Sequence, residues 1–406
     1  MTRVALLGPD LFDAFQDFAR GLKVAGARVV GVGATPPSRL HKGLKQQLDG
    51  WIHVRDPFDP REVVRAISRE RGIERLETVE ERLIEPAAQA RELLGLPGLS
   101  AASARLCRDK PAMKEALRRA GIPCAESTAA TTSNELAAFA ERVGFPLIVK
   151  PRAGLGSQQT FRVTSLRELE AAGRALALDR GGSAAVEEFV EGHEGFFDTL
   201  SIDGEPRHEF VSHYYPSVLE ALGDRSVAPK IAATNRVERE SYRELRDMGR
   251  RVIRALGIGT SATHMEWFFG PKGLKVSEIG ARPPGERLWD LYCVGNDLDL
   301  YAEWGRAVAL GRTEARPTRR FATGSVQVRP DRDGRIVGYR GLARVRQIAG
   351  DHLFASAVPR PGSRTVPIEK GYLANAWFRL RHDDYDRLLD LMNEIGRTLE
   401  VRALPA

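Results

Sequence analysis

The stretch His264-Met265-Glu266-Trp267-Phe268-Phe269-Gly270-Pro271-Lys272-Gly273-Leu274-Lys275-Val276-Ser277-Glu278-Ile279-Gly280-Ala281-Arg282 decides how this chain is read. It has the pattern of a β-hairpin. Pro271-Lys272-Gly273 suits a three-residue loop, with Pro at the second position of a type I turn and Gly in the left-handed region. That loop sets Glu266 directly opposite Glu278, both on one face. Two carboxylates side by side repel. A divalent cation between them would relieve the repulsion, and Mg²⁺ prefers such oxygen ligands. Arg282, just past the strand end, could hold an anion carried by the metal. The plain alternative is a solvent-exposed hairpin with ordinary surface charge.

Three earlier segments add to the hairpin. Lys150-Pro151-Arg152-Ala153-Gly154-Leu155-Gly156-Ser157-Gln158-Gln159 follows the apolar run Pro146–Val149. Gly154 and Gly156 let backbone N–H groups approach phosphate oxygens, Ser157 adds a hydroxyl donor and Lys150 a point charge. It is not a Walker A loop, because the lysine precedes the glycines. Val186-Glu187-Glu188-Phe189-Val190-Glu191-Gly192-His193-Glu194 begins as an apolar strand and ends in a charged turn. Its backbone could meet an adenine edge, and Glu194 could take ribose hydroxyls; acidic strand ends are also common on plain surfaces. Asp109-Lys110 precedes a helical pattern. Only 10 of the 61 basic residues are lysine, so a lysine in such a place stands out against the arginine background.

Composition bounds the function. The chain has 406 residues, 42% hydrophobic and 28% charged, enough for two to four compact units. The net charge of +7 is spread along the chain, which suits anionic small ligands and not a nucleic-acid stripe. Cys107, Cys124 and Cys293 are few, odd in number and far apart, which points to neither a disulfide framework nor a zinc site and fits a reduced, cytoplasmic compartment. No apolar run reaches the roughly 18 residues of a membrane span, and the N-terminus has no signal-peptide pattern.

Residues 1–100 alternate strand and helix, which implies a parallel sheet with helices on both faces. Apolar runs at Val4–Gly8, Arg28–Val32, Trp51–Val54 and Arg75–Val79 are its strands. The first turn, Gly8-Pro9-Asp10, lacks GxGxxG, so no dinucleotide site is read there. Further on, residues 104–120 read as one helix stopped by Gly121, Arg239–Leu256 as a long amphipathic helix, residues 321–380 as strand-rich and Asp383–Leu399 as a closing helix.

The order of elements is what makes them specific. Lysine before a helix, strand-Lys-Gly loop, Glu-Glu-Phe-Val strand, then Glu…Glu-Ile-x-x-Arg hairpin resembles the ATP-grasp superfamily, in its biotin carboxylase-like and L-amino acid ligase branch. The resemblance spans about residues 1–310. It implies a mixed α/β and α+β chain. An N-terminal doubly wound parallel-sheet domain takes 1–105. The ATP-grasp domain takes 106–312, with a small lid subdomain at 106–185 and a large subdomain at 186–312. A C-terminal β-rich α+β cap takes 313–406. It implies that Lys110 and Lys150 contact ATP phosphates under the glycine loop, that Glu187, Glu188, Phe189 and Val190 form the adenine hinge, and that Glu194 takes the ribose. Glu266 and Glu278 would hold Mg²⁺, one ion or two, with Mn²⁺ as a substitute, and Arg282 would stabilise the reacting group.

One departure stands out: Gly280 replaces the family's asparagine, which puts the second metal in doubt. His264-Met265-Glu266 resembles the amino-acid ligase branch, where His264 would meet a substrate carboxylate or else hydrogen-bond within the sheet. By the same resemblance Lys230 and Asn235 approach the substrate, and Arg287 binds an acidic acceptor or simply covers the cap. The implied reaction is ATP-dependent joining of a small carboxylate to an amine through an acyl phosphate, by a homodimer. The alternatives are an enzyme of nucleotide biosynthesis with a phosphoribosyl substrate, or a protein that binds nucleotide without using it. Ala112-Met113-Lys114 resembles a biotin-carrier motif but lies inside a helix, so it is set aside.

Overall fold

Short apolar strands build the first sheet. Arg3–Leu7 (β1), Arg28–Gly33 (β2), Gly50–His53 (β3) and Arg75–Glu77 (β4) pair in parallel in the order β3-β2-β1-β4. Val4 and Leu6 pack on Phe18, Ala19 and Leu22 of helix Gln16–Val24. Ala5 and Leu7 face the other way, onto Val63, Ile67 and Ala87. Burial on both faces is what a parallel sheet needs, and it explains why β1 and β2 read as continuous apolar runs. The computed structural model describes residues 1–152, 159–368 and 374–405 of the chain.

The second sheet is small and antiparallel. Ser127–Ala130 (β5), Leu147–Pro151 (β6), Phe161–Val163 (β7) and Ala184–Glu188 (β8) run in the order β5-β8-β6-β7. Helix Ser133–Val143, started by a Thr132/Glu135 capping box, and helix Leu166–Ala175 cover it.

The third sheet has eight strands. His193–Ile202 (β9), Glu205–Tyr215 (β10), Lys230–Ala233 (β11), Ser261–Gly270 (β12), Gly273–Gly280 (β13) and Ala322–Val328 (β14) are joined by Leu353–Ala357 (β16) and Ala376–His382 (β17). Their order is β13-β12-β9-β10-β11-β14-β17-β16. Arg335–Arg340 (β15) pairs instead with Glu400–Leu404 (β18), a strand beyond the helix Tyr385–Thr398 that the sequence reading ended on.

Three expectations change. Residues 104–120 are two helices, Ala101–Leu106 and Lys110–Arg119. Asp109 caps the second, accepting from Ala112 N, and Pro111 occupies its first turn, where a missing N–H costs nothing. The hairpin turn is tighter than a three-residue loop: Gly270 pairs with Gly273, and a bulge at Ser277 then restores Glu266 opposite Glu278. The region 321–380 also contains helix Leu342–Ala349. Among the described residues no helix is long and apolar enough to cross a membrane.

The N-terminal sheet is fastened to the central sheet by two helices at close range. Helix Gln16–Val24 crosses helix Leu300–Leu310 with glycines at the contact. A Cβ on Gly21 would lie 2.0 Å from the carbonyl oxygen of Tyr301, and one on Gly305 would lie 2.3 Å from that of Gly21. Gly21→Ala should therefore cost about 1–3 kcal/mol by overpacking, read as a lower midpoint of chemical unfolding. An unchanged midpoint would mean the helices separate without cost.

Candidate active site

The cap at Asp109 places Lys110 at the start of its helix and Lys114 one turn later on the same face. Lys150 closes β6, whose first four residues are buried. These cations interleave with carboxylates. Lys114 Nζ lies 2.5 Å from Glu187 Oε2, and Lys150 Nζ lies 3.1 Å from the same oxygen. Lys150 also reaches Glu278 Oε2 at 3.5 Å, and Lys110 reaches it at 3.4 Å. The result is a chain of alternating charge, Lys114–Glu187–Lys150–Glu278–Lys110, across two sheets and a helix.

Burial and neighbours set the protonation. Burial raises the Glu278 carboxyl, but Lys110, Lys150 and Lys114 outweigh it and hold the group well below the usual carboxylate range. Glu187 is held low against its burial by Lys114 and Lys150. Burial depresses Lys150, yet Glu187 and Glu278 raise it overall. Lys114 goes the other way: burial lowers it in spite of Glu187. Glu266 is raised, first by burial and then by the charge of Glu278 opposite. Glu194 is pushed up to about 8 by burial and by Glu266.

A cavity of about 650 Å³ joins these groups. Its apolar walls include Ile148, Val190, Phe268 and Val276, and its polar end carries Lys150, Glu187, Glu194, Glu266 and Glu278. The connecting stretch Glu188–Val190 lines it too. The Glu188 side chain turns to Lys272 and Lys275 of the hairpin. Phe189 lies under the Arg162 guanidinium at 4.6 Å. Glu194 Oε2 accepts from Val218 N at 2.7 Å, tying the cavity to helix Val218–Gly223. Gly154, Gly156 and Ser157 lie outside the described residues.

The remaining candidates separate. Arg282 does not line this cavity: its Nε donates to Glu81 of the N-terminal domain and its Nη1 to the carbonyl of Pro283 at 2.9 Å. Glu81 also accepts from Arg108 at 2.5 Å. Burial raises Glu81, but these two guanidinium groups hold it below its usual value. His264 hydrogen-bonds across the sheet, Nδ1 to Asp198 Oδ1 at 2.7 Å, with its Nε2 3.9 Å from Glu266. Tyr292 donates to the other oxygen of Asp198 at 2.5 Å. Lys230 donates to Ala228 O and Asn235 to Asp383 O, and neither lines the cavity. Arg287 pairs with Asp17 and Asp290, each at 2.8 Å, so it fastens the N-terminal domain.

Two partners went unread in the sequence. Lys114 was set aside with the biotin-carrier pattern, although its i, i+4 spacing from Lys110 and the scarcity of lysine marked it. Glu81 had no local signal, because it meets Arg282 across 201 residues.

The donor set fits a hard divalent cation. No group of three or more His, Cys, Asp or Glu forms a cage among the described residues. Two facing carboxylates, Glu266 and Glu278, instead leave coordination positions for phosphate oxygens and water, as Mg²⁺ prefers. Gly280 adds no ligand, and the fold gives a reason: a Cβ there would sit 3.2 Å from Glu81 Oε2, crowding the Glu81–Arg282 pair.

Residues 115–293 match the family model of the ATP-grasp domain. Among curated proteins the chain is 29% identical to an L-arginine-specific L-amino acid ligase of Bacillus subtilis over 201 residues, 48% of each chain. It is 25% identical to an alanine–anticapsin ligase of Bacillus subtilis (strain 168) over 296 residues, 62% of this chain and 61% of the other. It thus spans about half to three-fifths of the length of these relatives. Its fold is that of an L-amino acid ligase from Bacillus licheniformis, with a TM-score of 0.77 at 19% identity over 100% of this chain and 99% of that one.

Lys114→Met should leave Glu187 with one cation in place of two and destabilise the protein by about 3–5 kcal/mol at neutral pH. Glu187 is depressed in the folded state, so its contribution is present above its unfolded pKa of about 4.3 and fades as pH falls below that. The gap between variant and wild type in urea titrations should therefore narrow below about pH 4. A gap independent of pH would show that the loss is one of packing alone.

Proposed function

We propose that the ATP-grasp domain of this chain drives the joining of a small carboxylic acid, an amino acid or similar, to an amine. ATP phosphorylates the acid to an acyl phosphate, and the amine displaces phosphate. The observation that carries this reading is the meeting of Lys114, Lys150, Glu187, Glu266 and Glu278 at the polar end of one apolar-walled cavity, with Lys110 paired to Glu278 behind it. Phosphoryl transfer asks a protein for positioning and charge neutralisation more than for covalent help, and this site is rich in fixed charge.

Each residue has a part. Ile148, Val190, Phe268 and Val276 would clasp an adenine ring, with the Glu187–Val190 backbone at its edge and Glu194 at the ribose. Lys110 and Lys150 both donate toward Glu278, and Lys150 toward Glu187 as well. A phosphate chain would take those donors over and leave Glu278 ionised beside Glu266, so the two carboxylates become available to Mg²⁺. The metal, when bound, neutralises phosphate charge and polarises the transferred group. Arg282 Nη2, which donates to no described residue, is the donor left for an acyl or phosphoryl oxygen.

A phosphoribosyl substrate would want phosphate donors at the end of the N-terminal sheet. The small cavity there carries Asp10 and Asp13 beside Arg39, which speaks against that reading. The joint presence of Lys110, Lys150, Glu266, Glu278 and Arg282 speaks against a protein that only holds nucleotide.

The test is ADP release with Mg²⁺-ATP across a matrix of amino acids and small carboxylates, with and without a second amine. ADP should appear only when both partners are present. Glu278→Gln should slow it at least 100-fold, about 2.7 kcal/mol of barrier. Arg282→Ala should abolish turnover while ATP affinity stays within about tenfold; equal losses in both would make Arg282 a nucleotide or structural residue. Nucleotide binding with no ADP from any pair would sink the ligase reading.

A further inference from the structure

Lys114 and Lys150 both line the cavity, yet they differ in what they can touch. The Lys150 side chain keeps 11% of its surface exposed, that of Lys114 only 1%. Lys114 sits one turn into helix Lys110–Arg119, whose Met113 and Leu117 are buried with it. Its Nζ is closed to solvent and lies 2.5 Å from Glu187 Oε2. A phosphate chain in the cavity would therefore meet Lys150 and not Lys114.

A buried ammonium is costly unless it is paired, and a buried ion pair is often no more stable than apolar side chains of the same volume. Stability alone thus gives little reason for a lysine at this position. Glu187 Oε2 supplies one, because it also lies 3.1 Å from Lys150 Nζ. Two ammonium groups compete there for one oxygen, and their like charges repel. Lys114 holds the shorter contact. Lys150 is left with longer ones, to Glu187 at 3.1 Å and to Glu278 at 3.5 Å. Without Lys114, the Glu187 carboxylate would keep one cation among the described residues, and that cation is Lys150. A carboxylate so deeply buried gives up its last counter-ion only at a high cost.

We propose that Lys114 is a positioning residue for the phosphate chain: by pairing with Glu187 it keeps that carboxylate from capturing Lys150, whose ammonium group stays available to nucleotide phosphate. Lys114 touches no phosphate itself, and its effect passes through Glu187. Loss of Lys114 therefore weakens the grip on phosphate while leaving the base alone, and removing the Glu187 charge as well lifts the effect. The inference rests on the nucleotide part of the ligase reading and is independent of which acid and amine are joined.

Calorimetry on the full chain tests it, with Mg²⁺ and a non-hydrolysable ATP analogue in one series and adenosine in another. Lys114→Met should weaken the analogue at least about tenfold and adenosine less than about threefold. In the Glu187→Gln background the same substitution should change analogue affinity by less than about threefold. Lys114→Gln, which loses the charge but can still donate to Glu187, serves if Lys114→Met does not fold, and the same pattern is expected of it. A folded Lys114 variant that binds the analogue as the wild type does overturns the inference. Equal losses for analogue and adenosine do so too, because they mark a merely structural role. A loss that persists in the Glu187→Gln background also overturns it, since Lys114 would then act on phosphate directly. A wild type that binds neither ligand would remove the nucleotide reading together with the inference, whereas analogue binding without ADP release from any acid and amine would remove the ligase reading alone.

Discussion

Buried charge is the constraint on which the site depends. Lys114 is fully buried and Glu187 nearly so, and neither would be tolerated there alone. Pairing each cation with a carboxylate offsets desolvation only when geometry is good, so helix Lys110–Arg119, the small sheet and the hairpin must sit in fixed relation. The alternating chain that results fastens three elements, and it also stores the cations that a phosphate chain would recruit. The same ion pairs thus hold the fold and define the chemistry available to it.

A second set of charges joins the N-terminal domain to the central sheet. Arg20 pairs with Asp299 at 2.7 Å, Arg287 with Asp17, and Glu81 with Arg282. The first two are exposed enough that their stability contribution is small. Glu81 is different, because it is shared by two guanidinium groups and lies next to Gly280. It turns Arg282 from a free anion receptor into a group with a fixed orientation. The parallel sheet therefore reaches Arg282 through a loop after β4, at the carboxyl edge where ligands of such sheets gather.

Much of this was legible in the chain. Apolar runs marked β1 and β2 of the first sheet, since burial on both faces leaves no polar alternation to misread. Glu266 and Glu278 came out opposite each other although the turn was read one residue too long, because a bulge at Ser277 made up the difference. Helices Leu288–Asn296 and Leu300–Leu310 escaped the reading. They are buried on several sides, so they lack the one-faced pattern that marks an amphipathic helix. Lys230, Asn235 and Arg287 were placed near the substrate by position in the chain alone; Lys230 donates to Ala228 O, Asn235 to Asp383 O, and Arg287 pairs with Asp17 and Asp290.

The sequence by itself determined the kinds of element, their order, and the lysines and carboxylates around which a nucleotide site could form. Local spacing does this because turn chemistry, caps and period-two alternation act within a few residues. Tertiary structure alone decided which charges meet. Glu187 faces Lys114 and not solvent, and Arg282 is held by Glu81 from another domain. Those outcomes depend on contacts between residues as much as 201 positions apart. The energy of an ion pair is set by distance and burial, which no local pattern encodes.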